Sequence, residues 1–264
     1  MAKINNLAFV HPEAKLAEDV VVDAFAYIDK NVEIGAGCHI HPHASVLSGS
    51  RIGCNNEIFE GAIISASPQD FRWNGENSFV EIGDNNKIRE QVIINRSIYK
   101  DGKTCIGSNS FIMAQTHIGH DSVIGNYCVL GNAVKVAGDV KIGNYTILSS
   151  HALVHEKCHV GEWVLIKGGC RVNGNVPPFT VMAHNPIAYF GVNAFVLKKS
   201  NKSDETIEDI AKCYRHVYQT STSAFNALRR IYEDVDPSPE REQIINFIES
   251  HDLKLAALPQ IDHD

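Results

Sequence analysis

Ile, Val or Leu recurs at every sixth residue from Ile4 to Val172. The series has 29 positions, 26 of them carry one of these three residues, and only Asp70, Glu76 and Lys100 interrupt it. An α-helix repeats near 3.6 residues and a flat strand at 2, so neither sustains a period of six. A coil of short, equal segments does, each burying its apolar side against the segments above and below. Four residues after each apolar position the side chain is small, as at Ala26, Cys38, Ala44, Ser110, Thr116, Ser122 and Thr146, so large and small inward residues would fill a narrow prism.

Three such strands close a turn of eighteen residues, which predicts a mainly β chain, a parallel β-helix with coils about 4.8 Å apart. Residues eighteen apart then lie one above the other. The period itself leaves the hand of the coil open. Glycine often follows the apolar residue, as in Ile34-Gly35, Ile52-Gly53 and Ile106-Gly107, and these positions are expected to be corners needing positive φ. The series is broken by SASPQDFRWNGENSF (Ser65 to Phe79) and RSIYKDGK (Arg96 to Lys103), but its phase survives both, so each is expected to be an excursion from a continuing coil.

Beyond Val176-Pro177-Pro178 the pattern turns helical. Ser203 is placed to cap a helix reaching about Gln219, a second helix is expected from Ser223 to Glu233, and a third after Pro237-Ser238-Pro239. The tail from about Leu253 is expected to fray. The division is a β-helix over residues 1–190 and a small α-helical C-terminal domain over 191–264.

The net charge of −7, from 24 Lys and Arg against 31 Asp and Glu, argues against nucleic acid as the main partner. No apolar run is long enough for a bilayer-spanning helix, and KINNLAFV at the start reads as coil and not as a leader, so the expected location is the cytoplasm. Four of the seven cysteines, Cys38, Cys128, Cys158 and Cys170, fall on the small inward position and are expected to be reduced core thiols.

Most of the thirteen histidines call for no special role, and His11, His41 and His43 are expected to be solvated corner residues. The segment THIGHD differs. Ile118 points inward, and His120 followed by Asp121 near the next corner suits a general base with a carboxylate to orient it. The register of eighteen sets His120 beside Gly138 and then Glu156; a glycine admits a substrate to the backbone, and its amide suits a developing oxyanion. A zinc site drawn from His117, His120, His151, His155 and His159 is the rival, although a metal needs one tetrahedral set and not a number of histidines.

Taken in order, PQD with a basic residue after it (Pro68 to Arg72), EIGDNNKIRE (Glu81 to Glu90), HIGHDSVIGN (His117 to Asn126), His155 in LVHEKC, NVPPF (Asn175 to Phe179) and FGVN (Phe190 to Asn193) make almost the whole chain resemble the acyl-[acyl-carrier-protein]:UDP-N-acetylglucosamine O-acyltransferases. The resemblance implies a left-handed β-helix of hexapeptide repeats and a homotrimer with sites between subunits. It implies transfer of an R-3-hydroxyacyl chain from acyl carrier protein to the sugar 3-hydroxyl, the first step of lipid A biosynthesis, without metal, cofactor or covalent intermediate. His120 would be the base, Asp121 its orienting partner and Gly138 the oxyanion donor. Asp70, Arg72, His117, His155 and Asn193 match substrate-contacting positions, and Gly168 matches the position that limits acyl length. Lys198, Lys199 and Lys202 are candidates for docking the acidic carrier protein.

The chain departs from the family pattern at Arg72 (usually Lys), Asn95 and Asp139 (often His), Glu156 (Gln), Phe195 (often acidic) and Lys199-Ser200 (an Arg pair). These departures leave open a changed acceptor, such as a 3-amino sugar nucleotide, and a non-catalytic relative that only binds the carrier or the nucleotide sugar.

Overall fold

The computed structural model describes residues 2–220, 223–251 and 254–257. Within them the period of six becomes a three-sided coil. Its first face is a sheet of eleven strands containing Val21–Val22 and Phe111–Ile112, its second a sheet of nine containing Ile93–Asn95 and His117–Ile118, and its third a sheet of eight containing Phe79–Ile82 and Val123–Ile124. Along the coil every strand pairing is parallel, and consecutive strands in the chain lie on different faces.

The inward residues from Val22 to Val172 form one continuous core, with Ile28, Ile58, Ile94, Ile118 and Ile166 fully buried. The small inward position has a polar task as well. Ser110, Thr116, Ser122 and Thr146 each donate their hydroxyl to a backbone carbonyl fifteen residues on, at 3.3, 3.1, 2.9 and 2.7 Å, and the thiols of Cys38 and Cys128 do the same. Corner carbonyls that would otherwise be buried without a partner are thus satisfied. All seven cysteines are free, and Cys38, Cys128, Cys158 and Cys170 are buried as expected.

The two interruptions preserve the phase because they are whole multiples of the repeat. Without an insertion partners are eighteen apart, as in Ile118↔Val136; Glu57 pairs with Lys87 and Phe79 with Lys103, separations of 30 and 24. The first excursion therefore adds 30 − 18 = 12 residues and the second 24 − 18 = 6. Asp70, Glu76 and Lys100, the three breaks in the series, are the beats that fall inside them. The rule of eighteen holds from Ile106 to Val172 and fails across the loops.

The corner glycines have a different reason from the one expected. Positive φ belongs to a residue two places later, at Asn55 (+55°), Asn85 (+58°) and Asn109 (+60°). Gly53 is required because a Cβ there would stand 2.8 Å from the carbonyl oxygen of Gly83, one coil above, so glycine here serves close stacking.

Above the coil, Thr180–Ala183 and Ala188–Val192 form an antiparallel pair, and helices α1 (Ala194–Lys199), α2 (Asp204–Arg215), α3 (Ala224–Asp234) and α4 (Pro239–Ser250) follow. Ser203 caps α2 as expected, and Ser223 and Ser238 cap α3 and α4 in the same way, each accepting a backbone N–H. Helix α2 stops at Arg215 and continues to Thr220 as a π-helical turn, short of the single α-helix expected. Ile210, Tyr214, Ile231 and Ile244 form a second core, tied to the coil by the Tyr214 hydroxyl donating to the carbonyl of Pro178. The expectation of a frayed tail is corrected for Leu255 and Ala256, which are buried, with Ala256 N–H donating to Asn175 at 2.7 Å; Leu253 and residues 258–264 lie outside the described residues.

Deleting the twelve residues Ser67 to Ser78 keeps the beat, so circular dichroism should retain the β signal and a cooperative melt. Deleting thirteen, through Phe79, leaves the next strand out of phase and should lower the melting temperature sharply, because a one-residue slip turns inward side chains outward.

Candidate active site

Both excursions leave the coil at the same edge. The first joins Ile63–Ala66 on the second face to Phe79–Ile82 on the third, and the second joins Ile93–Asn95 to Lys103–Ile106 on the same pair of faces. His120 and Asp121 occupy the next corner up this edge, Gly138 and Asp139 the one above, and His155 and Glu156 the one after that. Loops on a rigid scaffold thus converge on the residues that the sequence marks.

His120 is 8 % exposed. Its Nδ1 lies 2.8 Å from Asp121 Oδ2, so Nδ1–H donates to that carboxylate and Nε2 is left facing the groove. The ring lies against Gly138, where a Cβ would come within 2.4 Å of Nε2 and Cε1. Gly138 is therefore a glycine because the imidazole occupies the place of its side chain. The Gly138 carbonyl accepts from Lys157 N–H at 3.1 Å, and its own N–H makes no hydrogen bond among the described residues. Asp121, at φ +60°, accepts from the Ser97 hydroxyl and from Ile98 N–H (3.2 Å), and its N–H donates to Thr104 Oγ1 at 2.8 Å. Ser97, Ile98 and Thr104 went unmarked in the sequence. The only signal for them was that the second interruption comes just before Asp121 in the coil.

From the first loop, Asp70 Oδ2 stands 3.3 Å from His120 Nε2. Arg72 binds both Asp70 oxygens through Nε and Nη2 at 2.9 and 2.8 Å and also donates its backbone N–H at 2.7 Å. These hydrogen bonds hold the Asp70 carboxyl well below the usual carboxylate range, and Asp70 in turn raises Arg72. Arg72 also reaches Glu156 Oε1 at 3.3 Å, two coils above His120. Trp73 lies over the guanidinium of Arg96 at 5.3 Å, pinning the first loop onto the second.

His117 Nε2 lies 2.7 Å from Asn95 Oδ1, and the Asn95 amide is oriented by donating to Ser67 O at 2.7 Å. Nε2–H is therefore the donor and Nδ1 the ring's acceptor. Burial, with Lys135 adding to it, lowers the pKa of His117 and keeps it neutral. His155 Nε2 accepts from Arg171 Nε at 2.7 Å, while Asp139 and Glu156 are exposed on the same edge.

Four expected residues are not brought to this edge within one chain. Gly168 is exposed at the corner between the first and second faces. Asn193 is buried beneath the helices, donating to Trp163 O at 2.9 Å. Lys198 and Lys199 are exposed on α1, where Lys198 pairs with Asp204 at 2.7 Å and Lys199 lies over the Phe195 ring.

The histidines of the zinc reading do not assemble. His117, His120, His155 and His159 each have another partner, the last being His251, and His151 is on the corner between the first and second faces. Ligand-like spacing among the described residues occurs instead at Asp23, His39 and His41. There the imidazoles are stacked, with centroids 3.9 Å apart and planes 23° apart, so a metal in the plane of one ring lies well out of the plane of the other. His41 is also not the solvated corner residue expected: it stacks between His39 and Phe59, and burial lowers its pKa. A broad open groove of about 630 Å³ on the third face, bounded by Arg51, Glu81, Cys105 and Val123, shares no residue with the His120 edge.

Comparison with known proteins shows the family and the fold. Residues 175–255 match the family model described as UDP-N-acetylglucosamine O-acyltransferase, domain 2, and residues 3–48 and 104–138 match the bacterial transferase hexapeptide repeat. The chain is 33% identical over 252 residues to an acyl-[acyl-carrier-protein]–UDP-N-acetylglucosamine O-acyltransferase of Thermodesulfovibrio yellowstonii, covering 95% of this chain and 98% of the relative. Among solved structures, the UDP-N-acetylglucosamine acyltransferase of Bacteroides fragilis superposes with a TM-score of 0.92 at 43% identity, over 97% of this chain and 100% of the other. That of Francisella novicida gives 0.91 at 33%, over 98% and 95%. The shared fold is the left-handed parallel β-helix.

The Asp70–Arg72 pair yields a titration test. A depressed carboxyl stays ionised through the ordinary range and loses its pairing only as pH falls below it. Carbon-detected NMR should find Asp70 ionised at pH 3, and Arg72→Met should return its midpoint towards the ordinary value of about 3.9.

Proposed function

The chain belongs to the acyl-[acyl-carrier-protein]–UDP-N-acetylglucosamine O-acyltransferases, and from that membership we propose how its residues divide the work. It is an enzyme that moves an acyl group from acyl carrier protein to UDP-N-acetylglucosamine. With relatives of that activity matching nearly its whole length, the altered-acceptor and non-catalytic alternatives are not favoured.

One observation carries the mechanism: His120 is tied through Nδ1 to Asp121 and presents Nε2 to the groove beside Gly138. Nε2 takes the proton of the sugar 3-hydroxyl as that oxygen attacks the thioester carbonyl of an R-3-hydroxyacyl carrier protein. Asp121 keeps the ring in the right tautomer and balances the imidazolium. The uncommitted Gly138 N–H meets the charge that builds on the carbonyl oxygen. Collapse of the tetrahedral species breaks the C–S bond, and the imidazolium returns its proton to the departing thiolate. The oxygen attacks directly, so no acyl-enzyme forms.

Asp70, Arg72, Asn95, His117, Asp139, His155 and Glu156 line the same edge and are assigned to the sugar nucleotide. Gly168, Asn193, Lys198 and Lys199 lie elsewhere on one chain, so their roles, the acyl tail for Gly168, substrate contact for Asn193 and the carrier for the lysines, require a neighbouring copy. A homotrimer supplies one. Phe71, fully exposed between Asp70 and Arg72, and the outward row Phe111, Val129, Ile147 and Leu165 on the first face are apolar surfaces that such a neighbour would cover. In this scheme residues 1–190 carry the chemistry and 191–264 receive the carrier. Among the described residues no helix is long and apolar enough to cross a membrane. We assign the enzyme to the cytoplasm, where carrier protein and nucleotide sugar meet, and to the first step of lipid A biosynthesis.

In a coupled assay with 3-hydroxyacyl carrier protein and UDP-N-acetylglucosamine, His120→Ala should lower kcat by about 10²- to 10⁴-fold without lowering the melting temperature; unchanged turnover would reject the base. A Cβ at Gly168 would stand 3.1 Å from Ser150 O, so a longer side chain must project outward. Gly168→Met should therefore shift the product, read by mass spectrometry from mixed donors, towards shorter acyl chains.

A further inference from the structure

The second excursion lies directly beneath the Asp121–His120 pair, and its hydrogen bonds converge on one carboxylate. Ser97 is fully buried and Ile98 is 4 % exposed. A carboxylate has no proton to give, so the short contact between Ser97 Oγ and Asp121 Oδ1 has the hydroxyl as donor. The same Oγ accepts Tyr99 N–H at 2.9 Å, which polarises the hydroxyl further. Ile98 N–H donates to Oδ2, the oxygen that also faces His120 Nδ1. The loop is anchored at its base: Arg96 N–H donates to Ala66 O at 3.0 Å, and Ser78 Oγ donates to Ser97 O at 2.6 Å. Gly102 closes the turn so tightly that a Cβ there would fall 2.2 Å from Ser97 Oγ.

We propose that the second excursion is a clamp on the catalytic pair and that Ser97 is its positioning residue, holding Asp121 towards His120 and drawing charge off its carboxylate so that His120 stays ready to accept a proton. This rests on His120 being the base; its ring is also faced by Asp70 Oδ2, 3.3 Å from Nε2, and by His117 from the same strand's start, and neither contact is changed by the variants below. Ser97 touches neither substrate in this scheme and acts only through Asp121. The loop adds six residues, the smallest insertion that keeps the phase of the coil, and it spends them on donors to one side chain.

Removing the Ser97 hydroxyl leaves Asp121 held by Ile98 but with more charge to offer His120, so the imidazolium is favoured. Ser97→Ala should move the acidic limb of kcat/KM to higher pH by about one unit. At the parent's half-maximal pH a shift of that size should cost about fivefold in kcat, with KM for the nucleotide sugar little changed. Gly102→Ala keeps the hydroxyl but pushes it off Asp121, so it should shift the limb in the same direction, and the double variant should shift it no further than Ser97→Ala. An acidic limb that stays in place or moves down in a Ser97→Ala enzyme melting like the parent overturns the proposal. If that variant melts early, Gly102→Ala decides on the same criterion. His120→Ala separates the two claims: activity retained there removes the base itself, whereas activity lost there with no limb shift in the loop variants removes only the clamp.

Discussion

Coils stacked about 4.8 Å apart leave almost no freedom in the direction of the axis. Each inward Ile, Val or Leu rests on the one above, each small inward hydroxyl or thiol reaches a carbonyl of the next coil, and at Gly53 even a methyl group would strike the backbone overhead. A chain under this constraint can lengthen only in whole beats, and only outward. The two excursions obey it with twelve and six added residues, and both leave at one edge.

That edge becomes a site because the constraint makes the coil a ruler. His120, Gly138 and Glu156 are spaced by the stacking itself, and the loops bring Asp70, Arg72, Asn95 and Ser97 to meet them. The result is a continuous polar chain, Ser97 to Asp121 to His120 to Asp70 to Arg72 to Glu156, buried at its Ser97 end and exposed at Glu156. Two departures from the family pattern answer each other within it. Arg72 and Glu156 form an ion pair 3.3 Å apart, and Asn95 supplies the oxygen that fixes the tautomer of His117. Both contacts tie residues of the first loop and the coil to one another along this edge.

The coil and the contact of His120 with Gly138 were legible in the sequence because no insertion lies between Ile106 and Val172, so eighteen residues is one turn there. The contacts made by the loops were not. Ser97 meets Asp121 across 24 residues and Arg72 meets Glu156 across 84, separations that a turn of eighteen residues does not give and that follow only once the excursions are placed on the coil. Glycine was misjudged at Gly53 for a related reason: close stacking and positive φ both demand glycine, and only the backbone tells them apart. His41 stands on a corner, where the pattern alone implies exposure, but the stack of His39, His41 and Phe59 covers it there. The helix starts are legible in the sequence near Ser203, Ser223 and Pro239, whereas the end of α2, where the backbone widens to a π-turn, carries no sequence signal.

Under the proposed assignment one chain holds only part of the machinery, and a rigid edge gives a physical reason. The coil can place the proposed base His120, its carboxylate Asp121 and the proposed oxyanion donor Gly138 with little cost in ordering, since all three stand on stacked corners. It cannot bend round to enclose a long acyl chain, because bending would break the stack that spaces the catalytic residues. Gly168, across the second face, and Asn193, under the helices, are therefore out of reach of His120 in the same chain. Under the proposed assignment, the constraint that fixes the His120 corner would leave the rest of the cleft to a second copy laid alongside.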